Sequence, residues 1–420
     1  MVVNKREPLT NRGIRVCRGC GSESLTSVLD LDEQPIANEL LLSADAEEER
    51  FPLHLSVCSD CGLGQIGEFV LPERIFQNDY PYLSSVSTSW VAHAQSFAER
   101  MTGELGLDDS SIVVEVASND GYLLRCFQQL GIRTLGIEPA DNVAEIARAD
   151  GIDTRSIFLG AEVGAEIAAE VGYPKLIVAN NVMAHVPDLH DFIAGLAALA
   201  GPETIITVEN PSFLNLLQKT QFDTIYHEHF SYLSAHAVRR AVTPLGLELV
   251  RVEELPTHGG SYRYWIIPQG QDHDDSSVAA AIAHEETSGL LSPDLWTDFA
   301  TRSHSTLEGL ATWLLKRAAA GDRVAAYGAA AKGNTLLNAA GVTADQILLC
   351  VDGSIEKQGK YLPGSHIPVV PPEELAGADP SDVLVLPWNI APEIATIIDR
   401  LTPHARSWVA VPVMASIAAP

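Results

Sequence analysis

The sequence predicts an α/β fold in three units: a small cysteine-bearing module, then two units that each build a mostly parallel sheet with crossover helices. Three observations carry this expectation. Short apolar runs alternate with helix-like segments from about residue 73 to 255, the alternation returns after a helical interruption between 256 and 420, and residues 1–72 lack it but hold four of the six cysteines. The expected divisions are therefore 1–72, 73–255 and 256–420.

In the first unit, Cys17-Arg-Gly-Cys20 and Cys58-Ser-Asp-Cys61 are each followed at once by a glycine. Two such knuckles supply Cys17, Cys20, Cys58 and Cys61 as thiolates to one tetrahedral Zn²⁺. The 37 residues between the pairs predict an inserted hairpin or loop. Four thiolates close the coordination shell, so the metal is expected to be structural. Cys126 and Cys350 sit in apolar contexts and read as inert core residues.

The second unit opens with the strand-like run Ile112-Val-Val-Glu-Val116, followed by Thr134-Leu-Gly-Ile137, Leu176-Ile-Val-Ala179 and Thr204-Ile-Ile-Thr-Val208. Between the first run and a helix beginning near Tyr122 lies Glu115-Val-Ala-Ser-Asn-Asp-Gly121. Its small residues Ala117, Ser118 and Gly121 expose backbone N–H groups and the positive helix end to a ligand. Glu138 ends the next strand, where an acid conventionally binds ribose hydroxyls. A nicotinamide dinucleotide or S-adenosylmethionine fits this arrangement. The turn departs from Gly-x-Gly-x-x-Gly and looks more like that of class I methyltransferases, making Glu115, Ala117, Ser118, Asn119, Gly121, Glu138 and Asn180 the cofactor candidates. Downstream of Asn180, His185 becomes a candidate for the pocket between cofactor and substrate.

Gln221-Phe-Asp-Thr-Ile-Tyr-His-Glu-His-Phe-Ser-Tyr-Leu-Ser234 is the densest chemical stretch. Tyr226, His227, Glu228 and His229 are expected on an extended segment ahead of a helix capped by Ser234. A regular strand would turn His227 and His229 one way and Tyr226 and Glu228 the other, while irregular backbone would mix them. Ser231 stands where His-Glu-x-x-His needs its second histidine, so a zincin site is disfavoured. Such a cluster suits proton removal: a histidine takes the proton α to a carbonyl while a phenol or second imidazole steadies the enolate oxygen.

After the polar loop 269–277, residues 278–320 read as mainly helical, with Leu307, Leu310 and Leu314 on one face and a stop near Gly321. The third unit then resumes with strand-like runs at 323–327, 346–351 and 383–386. Tyr327-Gly-Ala-Ala-Ala-Lys-Gly-Asn-Thr335 follows a strand and opens a helix, an anion site with Lys332 as an added cation.

The 420 residues, 46% hydrophobic and 20% charged, exclude wholesale disorder. The formal charge of −28 disfavours nucleic acid and anionic membranes, and makes any phosphate-bearing substrate depend on a local cationic site. No run of 18 apolar residues occurs. The opening Met-Val-Val-Asn-Lys-Arg-Glu-Pro lacks an apolar leader core, so a cytoplasmic protein is expected.

Taken together, the two cysteine pairs, Tyr80-Pro-Tyr-Leu-Ser-Ser85, Glu115-Val-Ala-Ser-Asn-Asp-Gly121, Ala184-His-Val-Pro187, Tyr226-His-Glu-His-Phe-Ser-Tyr232, His258-Gly-Gly-Ser261, Tyr327-Gly-Ala-Ala-Ala-Lys-Gly-Asn334 and Lys357-Gln-Gly-Lys-Tyr-Leu-Pro-Gly364 resemble the nucleotide-sugar C-methyltransferases, in order and over nearly the whole chain. The resemblance implies a zinc module, a class I S-adenosylmethionine-dependent methyltransferase domain and a second Rossmann-like domain that holds a nucleotide sugar. It implies methylation at C3 of a dTDP-linked 4-keto-deoxysugar in antibiotic deoxysugar biosynthesis. On that basis His229 would remove the C3 proton, with Tyr82, His185, Tyr226 and Glu228 around the sugar. Lys332, His258, Ser261, Arg263, Tyr327, Asn334 and Lys360 would hold the nucleotide diphosphate. A monomer or weak homodimer is expected. The alternatives are an NAD(P)-dependent nucleotide-sugar ketoreductase or epimerase, alone or as a second activity, and a non-catalytic zinc-ribbon adaptor.

Overall fold

The computed structural model describes residues 14–71, 74–75, 80 and 82–418; the opening eight residues, read above for a leader, lie outside them. Three sheets organise the chain. In the first, strands Leu25–Pro35 and Arg50–Cys58 form the antiparallel hairpin expected between the knuckles. Leu53, Leu55 and Val57 alternate inward and are almost completely buried, each contributing about 1.5–3 kcal/mol of burial. A short strand, Gly64–Gln65, extends the sheet, and its last member comes from far away: Ser231–Tyr232, immediately beyond the titratable cluster, pairs antiparallel with it.

The second sheet has seven strands in the order 247–255, 261–268, 205–211, 176–180, 112–116, 133–137, 154–155. It is parallel except at the edge occupied by the hairpin Leu247–Leu255/Ser261–Pro268. The division expected at 255/256 therefore falls within this hairpin. Strand Ser261–Pro268 belongs to the second sheet, because its outer residues Tyr262, Tyr264 and Ile266 complete that sheet's core rather than starting a new one.

The expected long helix is two, Ser276–Thr287 and Pro293–Ala320. The break is written locally: Gly289 takes φ 83, Ser292 caps the second helix by accepting from Asp294 N, and Pro293 opens it. Gly321 ends it at φ 75, where a stop was expected.

The third sheet runs 369–370, 350–351, 324–327, 382–385, 406–409, 415–417, parallel but for the last strand. The run expected at 346–351 is ladder-paired only at Cys350–Val351, since residues 344–346 form a turn.

The zinc module is wedged between the other two units. Cys17, Cys58, Cys61 and Leu63 share a core with the second sheet, whereas Leu29, Leu53 and Leu55 pack with Trp296, Phe299 and the third unit. Backbone bonds between Leu41 and Tyr361 (2.8 and 2.9 Å) strap its 36–48 segment across the third unit. No helix among the described residues is long and apolar enough to cross a membrane.

Candidate active site

The four knuckle thiols converge. Cys17 Sγ lies 3.5 Å from Cys61 Sγ, Cys20 Sγ 3.6 Å from Cys58 Sγ, and all four sulfurs fall within 4.8 Å of one another. Zn–S bonds of about 2.3 Å in a tetrahedron would set neighbouring sulfurs roughly 3.8 Å apart, so the donor set fits zinc. The neighbouring Cys61 thiol, and after it the backbone N–H groups of Cys20 and Gly19, favour the Cys17 thiolate against the cost of burial.

The turn after strand Ile112–Val116 is built from left-handed residues: Ala117 at φ 56, Asn119 at φ 50 and Gly121 at φ 76. A side chain at Gly121 would also reach within 2.9 Å of Ile152, so glycine is required twice over. Glu138 accepts from the backbone N–H of Asn119 (2.9 Å) and of Ala140 (2.8 Å), and burial pushes its carboxyl up to about 6. Asn119 Oδ1 accepts from Ser84 N, and Asp120 Oδ2 from Ser85 N, tying the preceding segment to the turn. Ser118 Oγ and Asp120 Oδ1 are buried without a hydrogen-bond partner, while the Tyr122 hydroxyl serves Glu115 and Asn180. Burial, then Asp120 and Glu138, holds the Glu115 carboxyl well above its ordinary range. Orphaned polar atoms, a helix end and a carboxylate at the next strand suit an amino acid joined to a nucleoside.

The cluster at 226–229 is not a strand. His229 N donates to Tyr226 O in a turn (2.9 Å), so the residues three apart meet. Tyr226 and His229 rings lie 4.0 Å apart at 34°, and His185 approaches His229 edge-on at 4.7 Å. His227 points away into the zinc module, its Nε2 3.2 Å from the carbonyl oxygen of Phe51. Glu228 is buried and accepts both bonds from Asn38 Nδ2 (2.7 and 2.9 Å); burial raises its carboxyl to about 7.

His229 Nδ1 sits 2.8 Å from Thr224 O. A carbonyl only accepts, so Nδ1 carries the proton and Nε2 keeps its lone pair. Burial, helped by His185, pushes this imidazole well below 6.5 and keeps it neutral. Thr224 belongs to a short turn whose Asp223 accepts from Trp388 Nε1 at 2.7 Å. Lys332 lies against the same tryptophan, 4.6 Å from its ring centroid, and donates to Asn389 Oδ1. The third unit thus delivers a cation to the edge of the histidine pocket.

Three family profiles cover most of the chain: a zinc binding domain at 17–76, a methyltransferase domain at 90–252 and a C-methyltransferase C-terminal domain at 256–412. C-methyltransferase NovU of Streptomyces niveus is 37% identical over 386 residues, 91% of this chain and 92% of the relative. The chain belongs to the C-methyltransferase family. Two solved structures share more distant similarity. Magnesium protoporphyrin IX methyltransferase of Synechocystis matches at 14% identity and TM-score 0.34, over 43% of this chain and 83% of that one. A SAM-dependent methyltransferase of Anabaena variabilis matches at 16% and 0.37, over 46% and 89%.

This C-methyltransferase depends on S-adenosylmethionine and carries a zinc module, and the 115–138 turn and the four thiols are the places that fit them. Several of the residues expected to touch the substrate also have partners within the chain. Arg263 is 3% exposed and committed to Glu209 (2.5 Å) beneath His93, with Phe97 under its guanidinium, so it is no spare cation. Ser261 Oγ donates to Thr257 O, and Tyr327 is packed in the third sheet's core. Asn334 Nδ2 holds Ala37 O of the strap at 2.6 Å. Tyr82 is 48% exposed and contributes its carbonyl to Asn119, while the Tyr80 phenol, two residues earlier, feels the charge of Glu228. His258, at φ 52, tilts against Trp90 with its ring held near 4 by burial, within reach of the Lys332 charge.

Lys360 is partly buried. Lys357, three residues earlier, donates to Ala329 O at 2.8 Å on the 327–334 turn, and its charge also reaches Glu228. Its presence in the same Lys-x-x-Lys motif was the available signal.

Proposed function

We propose that this C-methyltransferase acts on a dTDP-linked 4-keto-deoxyhexose, removing the C3 proton and methylating that carbon, in the cytoplasm and as part of antibiotic deoxysugar assembly. The observation that carries the reading is His229, a buried neutral imidazole with Nδ1 fixed on Thr224 O, flanked by Tyr226 and His185. A C4 ketone makes the C3–H bond acidic. His229 Nε2 takes that proton, the bonding pair moves into the C3–C4 enolate, and Tyr226 or His185 donates to the C4 oxygen. Glu228, anchored by Asn38, orders the sugar's hydroxyls. S-adenosylmethionine, when bound, supplies the methyl group that C3 takes up. Lys332, supported by Lys357 and the start of helix Ala331–Ala339, offers the diphosphate its counter-charge.

The three functional parts proposed are a zinc module near 1–72, a methyl-donor part near 73–255 whose sheet is completed by strand Ser261–Pro268, and a nucleotide-holding part over the rest of 256–420. Calorimetry with S-adenosylhomocysteine, NADPH and dTDP tests the assignment. Binding of the first and third is expected, and binding of NADPH alone would favour a ketoreductase.

Three outcomes follow from individual groups. Glu138→Ala should weaken S-adenosylhomocysteine by about 10–100-fold, the worth of a charged hydrogen-bond pair, in a titration of the purified protein. Lys332→Ala should raise the KM for the dTDP-sugar by a similar factor, on the order of 10–100-fold, in steady-state assays. As a lowered imidazole pKa means protonation only at lower pH, C3 proton exchange by Glu228→Gln should hold steady from about pH 8 to 6.5 and decline below. The Gln variant removes the carboxyl that titrates near 7, and an acid limb centred at 6.5 or above would contradict a buried neutral base.

A further inference from the structure

We propose that Arg18, between the first two zinc-ligating cysteines, is a positioning residue for His229, so that the knuckle sets the geometry of the sugar pocket; this rests on His229 being the base.

The side chain leaves the knuckle and forks onto two main-chain carbonyls, Nη1 donating to Phe230 O and Nη2 to Ile66 O at 2.8 Å. Phe230 is the residue directly after His229, and its ring lies 5.7 Å from the guanidinium carbon. The start of the fork is fixed as well: Arg18 N donates to Gln65 Oε1 at 3.1 Å, and Cys17 and Cys20 hold the backbone on either side. Ile66 N donates to the same Phe230 carbonyl at 3.2 Å, and Ser231–Tyr232 then pairs with Gly64–Gln65. The chain leaving the histidine is thus a strand of the zinc module's own sheet, with the guanidinium pinning its first peptide.

On the other side His229 is held by Thr224 O through Nδ1. With both sides anchored, Nε2 has one position. A planar guanidinium bonds two carbonyls at once, which neither a lysine ammonium nor a thioether reproduces. Displacing a reacting group by about 1 Å costs up to 100-fold in rate, so loss of the fork should appear in turnover rather than in ligand affinity.

The test uses full-length, zinc-loaded Arg18→Met and Arg18→Lys, with His229→Asn beside them, in C3 proton exchange on a dTDP-4-keto-6-deoxyhexose. For Arg18→Met we expect unchanged zinc content, S-adenosylhomocysteine affinity and sugar KM, and an exchange kcat lower on the order of 10–100-fold. Arg18→Lys should fall between it and the wild type. The His229 ring resonance, assigned by its disappearance in His229→Asn, should shift in Arg18→Lys. Should methionine unfold the module, the lysine variant, which keeps the charge, decides. Wild-type kcat and an unmoved resonance in Arg18→Lys would overturn the proposal while His229→Asn remained inactive. Normal exchange by His229→Asn would instead overturn the assignment of the base, and with it this inference.

Discussion

His229→Asn should abolish C3 proton exchange and methyl transfer together while leaving S-adenosylhomocysteine binding intact. Asparagine matches the Nδ1 side of the ring and can still donate to Thr224 O, so the turn that holds position 229 should persist. It has no basic nitrogen in place of Nε2. General-base catalysis is worth about 10²–10⁴-fold. Tyr226 is a phenol held well above its usual pKa by burial, and His185 meets the His229 ring edge-on at 4.7 Å from a separate turn, so neither occupies the place of Nε2. The cofactor turn lies on separate strands, which is why affinity for S-adenosylhomocysteine should stay within about twofold. Exchange at the wild-type rate would remove His229 from the role of base. Exchange lost together with cofactor binding would mean that the substitution had damaged the fold.

The second large effect is expected at the zinc. Cys58→Ser should lower bound metal from one ion per chain to well below one and strongly destabilise the fold. A structural zinc in small modules contributes on the order of 10 kcal/mol, comparable with the whole stability of a domain. Cys58 is fully buried at the end of strand Arg50–Cys58 and shares a core with the second sheet. Loss of the ion would leave buried thiols near one another and release the strand that Ser231–Tyr232 pairs with. The consequence should extend beyond the module, with thermal unfolding lowered by tens of degrees in one transition. Elemental analysis and calorimetry check both parts. A variant that retains its melting temperature after losing the metal would show that packing alone supports the module.

Much of this organisation is local and was legible in the sequence. The knuckle spacing brings two thiols of a pair together whatever the rest of the chain does, and the strand–turn–helix signal at 112–122 depends on neighbouring residues. What could not be read depends on partners remote in sequence. Arg263 looks like an available cation until strand Ser261–Pro268 is laid beside Ile205–Pro211, which places Glu209 directly under it. The 255/256 division follows a change of texture, yet hairpin pairing carries the second sheet on to Pro268. At 226–229 the alternation rule assumes an extended chain. A single turn bond from His229 to Tyr226 O changes which side chains face each other, grouping Tyr226 with His229 and sending His227 to Phe51. Lys357 and Tyr80 were visible within recognised motifs, but only the folded chain brings the Glu228 carboxylate near both.

The −28 charge also takes on a local meaning. Lys332 lies between Trp388, Asn389 and the field of buried Asp223, and Lys357 spans from Ala329 toward Glu228. Two partly buried cations at one helix start make an anion site that the protein's overall field would otherwise oppose.

The most direct measurement is carbon NMR of the product formed from ¹³C-methyl S-adenosylmethionine and a dTDP-4-keto-6-deoxyhexose in deuterated water. The account predicts a new carbon–carbon bond from the labelled methyl to C3, with the C3 proton lost and no label on oxygen. A methyl ether, or a reduced sugar carrying no label, would contradict it.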